Sequence, residues 1–223
     1  MRITSIDFQA LSRKSLALML TGFVALFVSF YIFLSLADDV WEDESFKLDA
    51  MVNQFIVSFN TPWLTDMMGY ITETGSVPWL TVATILVVAY LVLLTDKSYW
   101  VATFLVINML GISGLTKGLK LLFERQRPET LEQFDGTGFS FPSGHSTGAI
   151  TFYGFMIYLI VISKLSKGWK WVINGFLTTW ILLVALSRVF VGVHYVTDII
   201  AGLAIGLAWL LICVTGLVLL RRR

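Results

Sequence analysis

Residues 199–220 read IIAGLAIGLAWLLICVTGLVLL, an uncharged run closed by Arg221, Arg222 and Arg223. Crossing about 30 Å of hydrocarbon at 1.5 Å per residue takes about 20 apolar residues in a helix, so this run is long enough to span a bilayer. Five further runs of the same kind lie near residues 15–37, 74–95, 98–120, 146–163 and 171–192. Hydrophobic residues make up 57% of the 223-residue chain and charged residues 14%. A soluble protein carries about a quarter charged residues, so the composition points the same way as the runs. The chain has one cysteine, Cys213, which lies inside the 199–220 run and reads as a packing residue; a disulfide scaffold is excluded. A net charge of +1 with no basic stripe gives no sign of a nucleic-acid partner.

The first run has a basic flank, Arg13 and Lys14, and Ser35-Leu36-Ala37 has the small residues of a signal cleavage site. Signal cores run about 7–15 residues, and this stretch is longer, so it reads as a retained anchor. A seventh stretch, 50–65, is uncharged but broken by Asn53, Gln54, Asn60 and Pro62. Its apolar residues Met51, Phe55, Val57 and Phe59 suit a helix lying in the membrane interface, placed near 46–60. The expected fold is all-α: a single polytopic membrane domain over 1–223, with six transmembrane helices and one interfacial helix. With both termini cytoplasmic, the inner side holds ten basic and two acidic residues and the outer side six basic and thirteen acidic. That asymmetry obeys the positive-inside rule, and the opposite orientation violates it.

The few outer basic residues cluster at the ends of spans. Lys117 and Lys120 close the third, Arg125 and Arg127 follow, and Arg188 lies at the end of the fifth. Both histidines of the chain fall on the same side: His145 starts the fourth span, and His194 opens the sixth with Asp198 four residues on. Ionisable groups near membrane depth are costly and mark functional pathways. Taken singly, each has a plain structural reading: the lysines and Arg188 as snorkelling anchors, a histidine as a satisfied polar residue, Asp198 as a helix cap. Those readings leave unexplained why both histidines share one face. They also leave unexplained the Ser143-Gly144-His145 turn that runs straight into a helix, where free N–H groups receive anions. Glu124 and Arg125 read as solvated loop charges, Lys117 as a possible outer substrate contact, and the acidic stretch 38–44 as a solvated linker.

Three spacings then stand out. Lys120 is followed after six residues by Arg127-Pro128; Pro142-Ser143-Gly144-His145 follows; and Ser187-Arg188 is followed after five residues by His194 and after three more by Asp198. These motifs, in this order, resemble those of the type 2 phosphatidic acid phosphatase superfamily, which shares its site with vanadium haloperoxidases and glucose-6-phosphatase. Within it, chain size and the Pro-Ser-Gly-His form are most similar to the bacterial phosphatidylglycerophosphatase B-like branch. Undecaprenyl pyrophosphate phosphatases, close relatives, often carry Asp in place of that Gly.

The resemblance implies His194 as the nucleophile, a phosphohistidine intermediate, Asp198 orienting His194, and His145 as general acid and then base. It implies no metal and no cofactor. The residues suit that chemistry: Lys120, Arg127 and Arg188 can neutralise a phosphate whose transition state spreads charge over three oxygens. Ser143 and the backbone N–H groups at Gly144 and His145 add donors without adding charge. The expected function is a metal-independent phosphatase at the extracytoplasmic face of the cell membrane. Its expected substrate is a lipid phosphate or pyrophosphate: phosphatidylglycerophosphate, undecaprenyl pyrophosphate or phosphatidic acid. The bilayer and that lipid are the expected partners, and the sequence names no protein partner. Competing readings are a lipid phosphotransferase of the same superfamily, an intramembrane serine hydrolase using Ser143 or Ser146 with His194 and Asp198, and an anion transporter.

Overall fold

A computed structural model describes residues 13–42, 46–95, 99–128, 134 and 136–221, with the side chains of 13–19 excepted. Of the charges that set the expected orientation, the inner Arg2, Asp7, Asp96, Lys97, Arg222 and Arg223 and the outer Asp43, Glu44, Glu129, Glu132 and Asp135 lie outside these residues. Eight helices and no strands occur among the described residues. They are α1 (Arg13–Trp41), α2 (Lys47–Phe59), α3 (Pro62–Glu73), α4 (Val77–Leu93), α5 (Tyr99–Phe123), α6 (Gly144–Val161), α7 (Lys167–Phe190) and α8 (Val196–Arg221).

Among the described residues five helices are long and apolar enough to cross a membrane: α1, α5, α6, α7 and α8. Helices α3 and α4 form a sixth span if taken together, bent by 42° at a short break. The break has a local cause. Ser76 caps α4 by accepting a hydrogen bond from the Trp79 N–H (3.4 Å), and Pro78 sits in the first turn, where its missing N–H costs nothing. Thr61 and Pro62 start α3 in the same way, with Thr61 accepting from the Leu64 N–H at 3.3 Å. The helix expected near 46–60 falls on α2, and a second short helix, α3, follows it where the apolar pattern suggested none.

Helix α6 is the hub of the bundle. It packs on α8, α7, α5 and α4, while α1 packs on the far side of α8. Small residues allow close approach, as is usual where lipid supplies no hydrophobic drive between helices. A Cβ added to Gly202 of α8 would sit 2.8 Å from the Ser143 carbonyl oxygen, and one on Gly206 would sit 2.5 Å from Ile150. A core of Val101, Leu105, Phe152, Phe155, Leu210 and Leu217 fills the space between α5, α6 and α8. Cys213 is buried on α8. Large apolar side chains such as Phe23, Phe27, Tyr31, Leu86 and Phe176 point outward, a surface stable only against hydrocarbon.

Candidate active site

The site forms where three polar segments meet: the end of α5 with the loop after it, the start of α6, and the loop between α7 and α8. Helix α5 runs on through Lys120 to Phe123, so Lys117 and Lys120 project from its last two turns. Lys120 Nζ donates to the carbonyls of Phe139 and Ser140. Glu124 ends the helix with a positive φ of 47° and is exposed, as a solvated charge should be. Arg127 is fixed by the carbonyls of Thr137, Gly138 and Val193, with its Nη1 3.0 Å from His194 Nε2.

His194 lies in the loop between α7 and α8, 2% exposed. Its Nδ1 is 3.2 Å from Asp198 Oδ2, which also accepts the Tyr195 N–H at 2.9 Å. Aspartate accepts only, so Nδ1 carries the proton and Nε2 presents the lone pair. Burial, then the charges of Arg188, Arg127, Lys120 and Arg125, hold the His194 pKa well below the usual histidine value. A neutral imidazole is the form a nucleophile requires. Four residues apart, His194 and Asp198 face each other because the first turn of α8 brings them together.

Ser143 is the N-cap of α6, accepting from the Ser146 N–H (3.4 Å) and O–H (3.1 Å), and its own N–H donates to the Asp198 carbonyl at 3.1 Å. The hydroxyl expected to meet phosphate is thus engaged in starting a helix. Gly144 and His145 follow in the first turn. Arg188 is wholly buried in the last turn of α7 and donates to Thr72 Oγ1 of α3 at 3.0 Å. Gly75, in the break after α3, lies against the His145 ring, 3.3 Å from where its Cβ would be.

Lys117, Lys120, Arg127, Gly144, His145, Arg188 and His194 line one cavity of about 1030 Å³. Ser143 and Asp198 stand behind it. Away from the charges the cavity continues between α4 and α5 as an apolar groove past Val77, Leu80, Ile85, Val88, Leu110 and Val92. From Val77 to Val92 that wall runs about 22 Å at the helical rise. The groove runs between α4 and α5, and no residue of α2 lines it.

One reading needs correction. Arg125 is not a solvated loop charge: its side chain is only 16% exposed and bridges Asp198 Oδ1 (2.6 Å) and Asp49 Oδ2 (2.8 Å). Asp49, on α2, and Thr72, on α3, carried no signal in the sequence. Both come from the stretch ahead of the motifs, and only tertiary packing brings them to the site.

Comparison with known proteins adds a separate line. A family profile described as the PAP2 superfamily matches residues 100–221. A Bacillus subtilis protein named phosphatidylglycerophosphatase B is 32% identical over 80% of this chain and 87% of its own. An undecaprenyl-diphosphatase of Sulfolobus acidocaldarius is 36% identical over 40% of this chain and 38% of its own. The crystal structure of a transmembrane PAP2-type phosphatidylglycerolphosphate phosphatase from Bacillus subtilis superposes with a TM-score of 0.75 at 28% identity, covering 86% of this chain and 94% of that one.

Proposed function

The chain belongs to the PAP2 superfamily, and from that premise we propose that it hydrolyses a membrane lipid phosphate or pyrophosphate through a phosphohistidine on His194. The observation that carries this reading is the cavity itself. Four cations and two histidines line one end, and an apolar groove long enough for an acyl or prenyl chain leaves from it. A phosphate at headgroup depth with its tail in the groove fits both halves.

In the first step His194 Nε2 attacks phosphorus in line, forming the N–P bond as the P–O bond to the lipid breaks. Lys120, Arg127 and Arg188 neutralise the equatorial oxygens, and the N–H groups at the start of α6 add uncharged donors. His145 gives its proton to the leaving oxygen, then takes one from the water that attacks the phosphohistidine. Asp198 holds the Nδ1 proton and offsets the positive charge that grows on the ring. In the resting site Arg127 Nη1 occupies the Nε2 lone pair. A bound phosphate draws that guanidinium onto itself and frees the nucleophile. Lys117, exposed at the cavity edge, is placed for a second phosphate of a pyrophosphate.

Phosphatidylglycerophosphate and undecaprenyl pyrophosphate are the two substrates favoured, after the relatives' names, with phosphatidic acid a third. The charge asymmetry of the loops supports a site on the extracytoplasmic face of the cell membrane. The test is phosphate release by the detergent-solubilised protein from the three lipids side by side, with EDTA present and His194→Ala as control. The expected result is EDTA-insensitive release that disappears in His194→Ala. Near-normal release by that variant sinks the mechanism, and strict dependence on Mg²⁺ sinks its metal independence.

A further inference from the structure

Arg125 sits two residues before Arg127 yet is not part of the cavity lining. Its guanidinium lies between two aromatic rings, 4.3 Å from the Tyr195 centroid and 5.0 Å from that of Phe46. From this slot Nη1 donates to Asp198 Oδ1 (2.6 Å) and Thr197 Oγ1 (2.8 Å), and Nη2 donates to Asp49 Oδ2 (2.8 Å). Asp49 is itself buried and accepts from the Thr197 N–H (2.9 Å) and O–H (2.7 Å).

The two oxygens of Asp198 therefore have separate tasks. Oδ2 faces His194 Nδ1, and Oδ1 is gripped by Arg125. What grips Oδ1 sets the direction of Oδ2. The same guanidinium is the nearest cation to a wholly buried carboxylate, which without it would be an uncompensated charge. Asp49 fixes the other end of the fork, and it belongs to a helix that otherwise contributes nothing to the cavity. Helix α2 turns Asp49 and Ile56 inward while Met51 and Phe55 are exposed on its other side.

We propose that Arg125 and Asp49 are positioning residues for the reaction, tying α2 to the His194–Asp198 pair and holding Asp198 in the place and charge state that orient the nucleophile. The inference rests on His194 being the nucleophile. Because neither residue lines the cavity, their loss acts on turnover and leaves substrate binding in place.

The test compares Arg125→Gln, Arg125→Lys and Asp49→Asn with wild type and His194→Ala on detergent-solubilised phosphatidylglycerophosphate. Arg125→Gln should lower kcat about 30-fold with KM within about threefold, the size of effect a lost charged hydrogen bond gives. Arg125→Lys keeps the charge without the fork and should recover part of that loss, to about tenfold below wild type. Asp49→Asn should cost about fivefold, again in kcat. If Arg125→Gln does not fold, the other two variants, which keep a donor or acceptor in place, decide by the same split. Folded Arg125→Lys and Asp49→Asn with wild-type kcat, or losses carried by KM, overturn the proposal. An inactive His194→Ala beside such variants removes the positioning role alone; an active His194→Ala removes the nucleophile reading beneath it.

Discussion

The two ends of the cavity are built by opposite rules. At the charged end each group is fixed by directional partners: Arg127 by three carbonyls, Arg188 by Thr72, His194 by Asp198, and the start of α6 by Ser143. Along the groove, Val88, Val92 and Leu110 offer only apolar surface with no directional contact. Phosphate chemistry tolerates little displacement, because a misplaced donor no longer meets charge as it develops. A lipid tail is held by area alone, and area does not discriminate chain lengths sharply. Such a molecule should be strict about the phosphate and loose about the lipid.

Short of removing His194 itself, the largest effect expected on breaking the charged end is from Arg188→Lys. A buried planar guanidinium becomes a point charge, and kcat/KM should fall about a hundredfold, measured by phosphate release. Next is Gly202→Ala, whose Cβ would sit 2.8 Å from the Ser143 carbonyl oxygen. Backbone has to yield there, moving α8 from the start of α6; thermal unfolding in detergent should report a loss of about 1–3 kcal/mol.

The groove answers differently. Leu110→Trp should raise KM for a long-chain lipid phosphate about tenfold and leave a short-chain water-soluble phosphate within about twofold, since only area is lost. Equal effects on both substrates would erase the distinction between the two ends.

The smallest effect concerns pH. His194 is neutral in the fold because its pKa is held down, by burial first and then by Arg188, Arg127, Lys120 and Arg125. In the unfolded chain it takes up a proton below about 6.5. The unfolded state thus binds more protons, and stability is lost as pH falls below that value. Histidine NMR, with two imidazoles in the chain, should show His194 still neutral at pH 6.

Sequence legibility follows the same division. Span number and the three motifs were readable because each depends on local spacing: apolar runs of bilayer length, and His194 and Asp198 one helical turn apart. Fold class and family were therefore within reach. The α3–α4 bend was not, since Thr74–Ser76 interrupts no apolar period strongly enough to separate a short helix from a span. In the sequence Arg125 reads as solvated because its partner Asp49 lies 76 residues away, with nothing local to announce the pairing. Thr72, which meets Arg188 across 116 residues, was silent for the same reason.

The central claim is the covalent step at His194. Its most direct test is rapid acid-free quenching of the protein during turnover of a ³²P-labelled lipid phosphate, followed by mapping of any label on the chain. The expected result is a phosphoryl group on His194, stable to alkali and lost in acid, and absent from His194→Ala. A protein that turns over substrate at full rate with label on Ser143, or with no label under conditions where hydrolysis of the intermediate is slowed, would contradict it.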